Sequence, residues 1–266
     1  PASDTYREAV TAFYTGLAAI QAGENKGAEA ELLRVTELVP QEPAAWANLG
    51  LLSLRRNEPE AAAERLQRAA ELAPDNSHVH VLLGLLASQQ GRFEEAIESL
   101  RRAFTLDPQN LKAGYALARE VERQGADGSD DRVQALLDTL LQLRPDNLAL
   151  LLDHARLAAK RGDAQTLRSS VARIREQAGG WPAEVQDQLG ALQQAAETDA
   201  RQAATQVAFL RNLLLRVPDY REDLAAVQMP PEEVGELMTR FVRLPSPSPP
   251  PPPPPPGPAV TLDPPP

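Results

Sequence analysis

Runs rich in alanine, leucine and glutamate, with apolar and charged residues mixed within each turn, dominate the chain up to Leu244. Three of them, LLRVTELVP, LQRAAELAP and LRRAFTLDP, close on Pro40, Pro74 and Pro108, which stand 34 residues apart. Gly16, Gly50 and Gly84 keep the same spacing, as do Ala28, Ala62 and Ala96. Three independent features with one period predict a repeated pair of helices. A small residue where two antiparallel helices cross lets them approach closely. A terminal proline stops the second helix, because it lacks a donor and disfavours helix before it. One hairpin alone leaves apolar surface open, so successive hairpins are expected to stack into a solenoid with a concave groove lined by their first helices.

The unit resembles the tetratricopeptide repeat (TPR). In PAAWANLGLLSLRRNEPEAAAERLQRAAELAPDN, residues 43–76, the residues Trp46, Leu49, Gly50, Ala62, Leu66, Ala69 and Pro74 fall on the motif positions. Residues 77–110 keep Leu83, Gly84, Gly91, Ala96, Leu100, Ala103 and Pro108, with His80 in the tryptophan slot. Residues 9–42 match more loosely. A fourth unit, 111–147, carries the turn-rich insertion GADGSDD between its helices. A fifth runs from Leu148 to about Gly179, with His154-Ala155 where Leu-Gly is expected.

Beyond GGWP, start signals at Pro182, Asp199, Asp219 and PPEE (230–233) predict helices near 183–197, 199–216, 219–228 and 231–243. The expectation is an all-α, right-handed TPR α-solenoid of about five hairpins over residues 1–180. A helical extension over 181–244 caps its end, and a proline-rich tail covers 245–266. That tail has 14 prolines in 22 residues, eight of them consecutive from Pro249 to Pro256, and predicts an extended polyproline II rod.

Composition narrows the partners. The formal net charge is -10, against the basic field that phosphate binding needs, so nucleic acid is not an expected partner. The chain has no cysteine, which removes disulfides, thiol catalysis and thiolate metal sites. No run approaches the roughly 18 apolar residues of a membrane span. The opening PASDTYREAV, without Met, is read either as a processed end left after export or as a start within a longer chain.

Candidate chemistry is sparse. His78 and His80 are two apart, which turns them to different sides of a helix, and His154 occupies a packing slot, so no metal is expected. Asp130-Asp131, Glu94-Glu95 and Glu232-Glu233 fall in loops and first turns, where acids complement the helix dipole. No phosphate loop, nucleophile elbow or His-Glu-x-x-His motif occurs. A non-enzyme without cofactor is the expectation.

The groove says more. The TPR resemblance implies that positions 2, 5, 9 and 12 of each unit face it. The first three units put Val10, Phe13, Leu17, Ile20, Ala44, Ala47, Leu51, Leu54, Val81 and Leu85 there. The later two contribute Lys112, Tyr115, Arg119, Glu122, Leu152 and Arg156. The floor is thus apolar at one end and polar at the other. It is covered either by superhelical packing or the chain's own N-terminal segment, or it is free for a partner. The carboxylate-clamp subtype is not met: only Asn48 fits it, with His78 and Leu82 in basic slots.

The leading expectation is a protein-interaction scaffold taking a protein or extended peptide through Phe13, Leu17, Leu51, Leu85, Tyr115 and Arg119. The alternative is a self-assembling subunit of an extracellular fibre or surface complex whose proline tail docks on a neighbouring copy, as polyproline segments do on apolar grooves. Ser246, Ser248 and Thr261 are candidate O-glycosylation positions in the tail. The array followed by VAFLRNLLLRVPDYREDLAAVQMPPEEVGELMTRFVRLPSP is also similar to exported bacterial proteins in which a TPR region precedes an FG-GAP-type propeller. That resemblance implies a periplasmic or extracellular place, with the cytoplasm as the alternative, and a chain that is part of a larger protein or a relative ending in prolines.

Overall fold

The computed structural model describes residues 4–228 and Met238. Among these residues there are thirteen α-helices and no strand. Five hairpins follow one another: α1 (Asp4–Gln21) with α2 (Asn25–Leu38), α3 (Pro43–Arg55) with α4 (Pro59–Leu72), α5 (Ser77–Gln89) with α6 (Phe93–Leu106), α7 (Leu111–Gln124) with α8 (Ser129–Leu143), and α9 (Leu148–Arg161) with α10 (Ala164–Glu176). Each hairpin packs on the next, and α11 (Ala183–Thr198), α12 (Ala200–Leu214) and α13 (Pro218–Val227) complete the described chain. Three of the four helices expected beyond GGWP are therefore present. The fourth, the proline tail, Ser246, Ser248 and Thr261 lie outside the described residues.

The 34-residue period has a steric cause at each crossing. A Cβ added at Gly50 would lie 2.5 Å from Leu66 Cδ2, one added at Gly84 would lie 2.7 Å from Leu100 Cγ, and one added at Gly16 would lie 3.0 Å from Leu32 Cγ. In all three hairpins the leucine sixteen residues downstream fills the space that glycine leaves, and all three leucines are buried. The same period recurs in the turns, where Gly23, Asn57, Gly91, Gly125 and Gly162 end the first helices with positive φ. At four of these turns the next residue's N–H returns five residues to a helix carbonyl, as in Glu58 to Ser53 (2.9 Å) and Arg92 to Ala87 (2.9 Å), satisfying a terminal acceptor in the Schellman manner.

First helices also start alike. The side chains of Glu42, Asn76, Asn110 and Asn147 each accept a backbone N–H from the first turn that follows, at 2.9–3.1 Å, which caps donors that have no partner within the helix. His80 stands in the tryptophan slot for a reason: its Nε2 reaches the Pro74 carbonyl at 2.8 Å, as Trp46 Nε1 reaches that of Pro40 at 2.9 Å. Both side chains tie a first helix to the proline turn before it.

Two clusters of ions stitch hairpins together. Arg56 and Arg65 converge on Glu29, with Arg56 Nη1 at 2.6 Å from Oε2 and Arg65 Nη2 at 2.8 Å from Oε1, while Arg65 also donates to Ser53 Oγ at 2.7 Å. Lys160 and Arg161 at the end of α9 reach Asp130 and Asp131 in the first turn of α8, at 2.6 and 2.5 Å.

The Arg56 hydrogen bond, against the cost of burial and with help from Arg65, holds the Glu29 carboxyl at about 2, below its ordinary 4.5. A lowered carboxylate pKa stabilises the fold above the unfolded value and loses that contribution as pH falls through the folded one. Glu29→Gln is therefore expected to flatten the dependence of urea stability on pH between about 4.5 and 2. An unchanged slope there would show that the cluster contributes nothing.

Candidate peptide-binding groove

The first helices α1, α3, α5, α7 and α9 carry the residues that the repeat pattern assigns to the concave side. At its N-terminal end Phe13, Leu17, Leu51 and Leu54 are buried in one apolar cluster, and Met238 belongs to that cluster. Asn48 is fully buried among them. Its Oδ1 accepts the Met238 N–H at 2.9 Å and its Nδ2 donates to the Met238 carbonyl at 3.0 Å. One side-chain amide thus satisfies both main-chain groups of one residue from a segment 190 positions away. A buried amide left unpaired is costly, and here the Met238 main chain satisfies both of its polar ends. Met238, which was not among the expected covers, lies in this cluster, whereas the N-terminal residues from Asp4 are part of α1 itself.

The C-terminal end of the concave side is organised differently. Asp153 is the sixth residue of α9, the place Asn48 holds in α3, and is likewise buried. Its carboxylate accepts from Tyr115 Oη at 2.5 Å and pairs with Arg211 Nη2 at 2.6 Å and Arg156 Nε at 3.2 Å. Arg156 is held on its other side by Glu122 at 2.8 Å. Burial, followed by the Asp153 charge, pushes the Tyr115 phenol well above its ordinary range, so it remains a donor. Burial works against charge on Arg211, but Asp153 and Tyr220 outweigh it and raise its pKa. This hub joins α7, α9, α12 and α13. Asp223 on α13 adds a further tie, accepting the Leu148 N–H at 2.7 Å at the start of α9, while Asn147 donates to the Asp223 carbonyl at 3.0 Å.

The six expected contact residues are thus distributed along one side. Phe13, Leu17 and Leu51 belong to the cluster that includes Met238, Leu85 is half-buried beside it, and Tyr115 is committed to Asp153. Arg119 is exposed and stands between two clefts of about 200 and 160 Å³, both lined by Tyr115, Arg119 and Gln228. The first is completed by Arg211, Tyr220 and Leu224, the second by Leu85, Ser88 and Val227. Sequence reasoning missed Asp153 and Arg211 as organisers, and it saw Asn48 only as the remnant of a clamp.

His154 bridges Ser170 Oγ (2.8 Å) on α10 and Asp138 Oδ1 (2.9 Å) on α8, joining the fifth hairpin to the fourth. Among the described residues no group of three or more His, Asp or Glu is placed to hold a metal ion, and no helix is long and apolar enough to cross a membrane.

Comparison with known proteins agrees on architecture. The Tetratricopeptide repeat family model matches residues 15–77, 54–111 and 81–127. No curated protein matches the chain. Among solved structures, Pseudomonas aeruginosa PilF superposes with a TM-score of 0.60 at 22% identity, covering 84% of this chain and 99% of its own. PilW, described as a widely conserved type IV pilus biogenesis factor, gives 0.55 at 16% identity over 84% of this chain and 100% of its own. YrrB, described as a TPR protein with an unusual peptide-binding site, gives 0.52 at 14% identity over 64% and 87%. At these identities the likeness is one of fold. With the 34-residue geometry of its hairpins and the family match across residues 15–127, the chain is an α-solenoid that carries tetratricopeptide repeats.

Proposed function

We propose that this chain is a non-catalytic protein-interaction scaffold whose concave side takes an extended segment of a partner protein. The observation that carries the reading is the two-way hydrogen bond of buried Asn48 to the main chain of Met238. A site that reads backbone through an amide and apolar side chains through a leucine-lined floor suits an extended peptide, in the way peptide grooves generally combine main-chain bonds with side-chain pockets. Phe13, Leu17 and Leu51 form the floor, and Leu85, Tyr115 and Arg119 form the wall along which the partner runs. The peptide-binding description of YrrB supports the same reading by analogy of fold. The place of action is outside the cytoplasm, in keeping with the resemblance to exported TPR and FG-GAP-type proteins and with the fold shared with PilW, a type IV pilus biogenesis factor.

The test is site-specific photo-crosslinking in the native host. A crosslinker at exposed Arg119 should capture a partner, one at exposed Arg101 on α6 should not, and Leu85→Arg should abolish capture at 119 while leaving the helical spectrum unchanged. Capture that is equal from both positions, or that survives Leu85→Arg, would contradict the groove.

A further inference from the structure

We infer that the segment around Met238 is a built-in ligand of the repeat groove, held in cis, which a partner peptide must displace. The inference rests on the proposed function and goes further by naming the competitor and hence the kind of partner: an extended peptide with an unbranched apolar residue at its centre.

Three observations lead there. Asn48 is fully buried, yet both polar ends of its amide are used, and both go to the same residue of a distant segment. Paired donor and acceptor bonds to one residue's N–H and C=O read the backbone and are indifferent to side-chain identity, so any extended peptide can replace Met238 in them. The side chain supplies the selectivity: Met238 is buried in the cluster that holds Phe13, Leu17, Leu51 and Leu54, and a thioether on an unbranched chain adapts to an irregular apolar pocket.

The last observation is reach. Gln228 lines the cleft that Leu85 and Tyr115 also line, and Met238 is ten positions further along the chain, a span of at most about 33–36 Å. A short tether of this kind presents its segment at an effective concentration of roughly millimolar. A free peptide of equal intrinsic affinity is therefore outcompeted until it exceeds that level, or until the tethered segment is weakened.

The experiment uses the full chain and a fluorescein-labelled synthetic peptide of its own residues 232–244 (EEVGELMTRFVRL), with binding read by anisotropy. Met238→Pro removes the N–H that Asn48 accepts. Met238→Glu keeps the backbone but carries a charge into the apolar cluster. Both chains should bind the probe at least tenfold more tightly than the unmodified chain, because the competitor in cis is weakened, and adding Asn48→Ala to either should erase the gain.

Equal affinity in all chains, or no binding in any while their melting is unchanged, would overturn the inference. So would an unmodified chain that light scattering finds dimeric and that Met238→Pro makes monomeric, since the occupant would then come from a second copy. If the probe fails while Leu85-dependent crosslinking from position 119 persists, only the self-ligand falls. If crosslinking fails while the probe behaves as described, the wider scaffold reading falls and the self-ligand stands.

Discussion

Asp153→Ala should lower stability by about 3–5 kcal/mol, concentrated at the C-terminal end of the described chain. The carboxylate is almost fully buried and serves three donors at once: Tyr115, Arg156 and Arg211. Its removal leaves the buried Tyr115 hydroxyl without its acceptor and the partly exposed Arg211 guanidinium without its carboxylate, and truncating one partner of such a pair costs far more than the pair contributes. Arg156 is less affected because Glu122 still holds it at 2.8 Å. Tyr115→Phe removes one donor and leaves the charges matched, so the cost should be smaller, about 1.5–3 kcal/mol for a hydrogen bond to a charged group.

Repeat arrays need not unfold as one unit. The informative measurement is therefore hydrogen exchange resolved by helix. In Asp153→Ala the amides of α12 and α13 should lose protection while those of α3 to α6 keep it. Uniform loss across the array, or none, would contradict the hub.

Gly50→Ala should destabilise the chain by about 1–3 kcal/mol, although alanine is the better helix former by about 1 kcal/mol. The new methyl would sit 2.5 Å from Leu66 Cδ2 and 2.6 Å from Cγ. Leu66 is itself fully buried, so it has nowhere to retreat without moving α4 away from α3. Gly190 in α11 is the control. Nothing lies within 4 Å of its added Cβ, so Gly190→Ala should stabilise by about 0.5–1 kcal/mol through propensity alone.

Opposite signs for the same substitution separate close approach from intrinsic preference. In a Leu66→Ala background the Gly50→Ala penalty should largely vanish, because the two side chains compete for one space and their effects cannot be additive. Thermal melts of the four chains decide the matter. Equal effects at Gly50 and Gly190 would show that the period of glycines has no packing cause.

The repeat architecture was open to reading because its causes are local and recur. Gly16, Gly50 and Gly84 mark crossings, Pro40, Pro74 and Pro108 mark helix ends, and each acts within one hairpin. The turn at Asn57 and the caps at Asn76, Asn110 and Asn147 belong to the same local chemistry and follow the same period, 34 residues and then 37 across the insertion.

The site was less legible because its bonds are long-range. Asn48 and Met238 are 190 positions apart, and nothing near either residue announces the other. Asp153 lies in LALLLDHARLAAKR, where an acid beside histidine reads as an exposed residue at a helix edge. Only the docking of α12 and α13 brings Arg211 and Tyr220 to it. The apolar floor at Phe13, Leu17 and Leu51 was visible from repeat positions, but what covers it was not.

The central claim is that the concave side binds a peptide main chain through Asn48, and the exchange of one amide addresses it most directly. In the unmodified chain the Met238 N–H should exchange far more slowly than an exposed amide. In Asn48→Ala it should exchange nearly as fast as one, while the amides of α3 and α4 hold their protection. A Met238 amide that exchanges freely in the unmodified chain, or that stays protected without Asn48, would contradict the account.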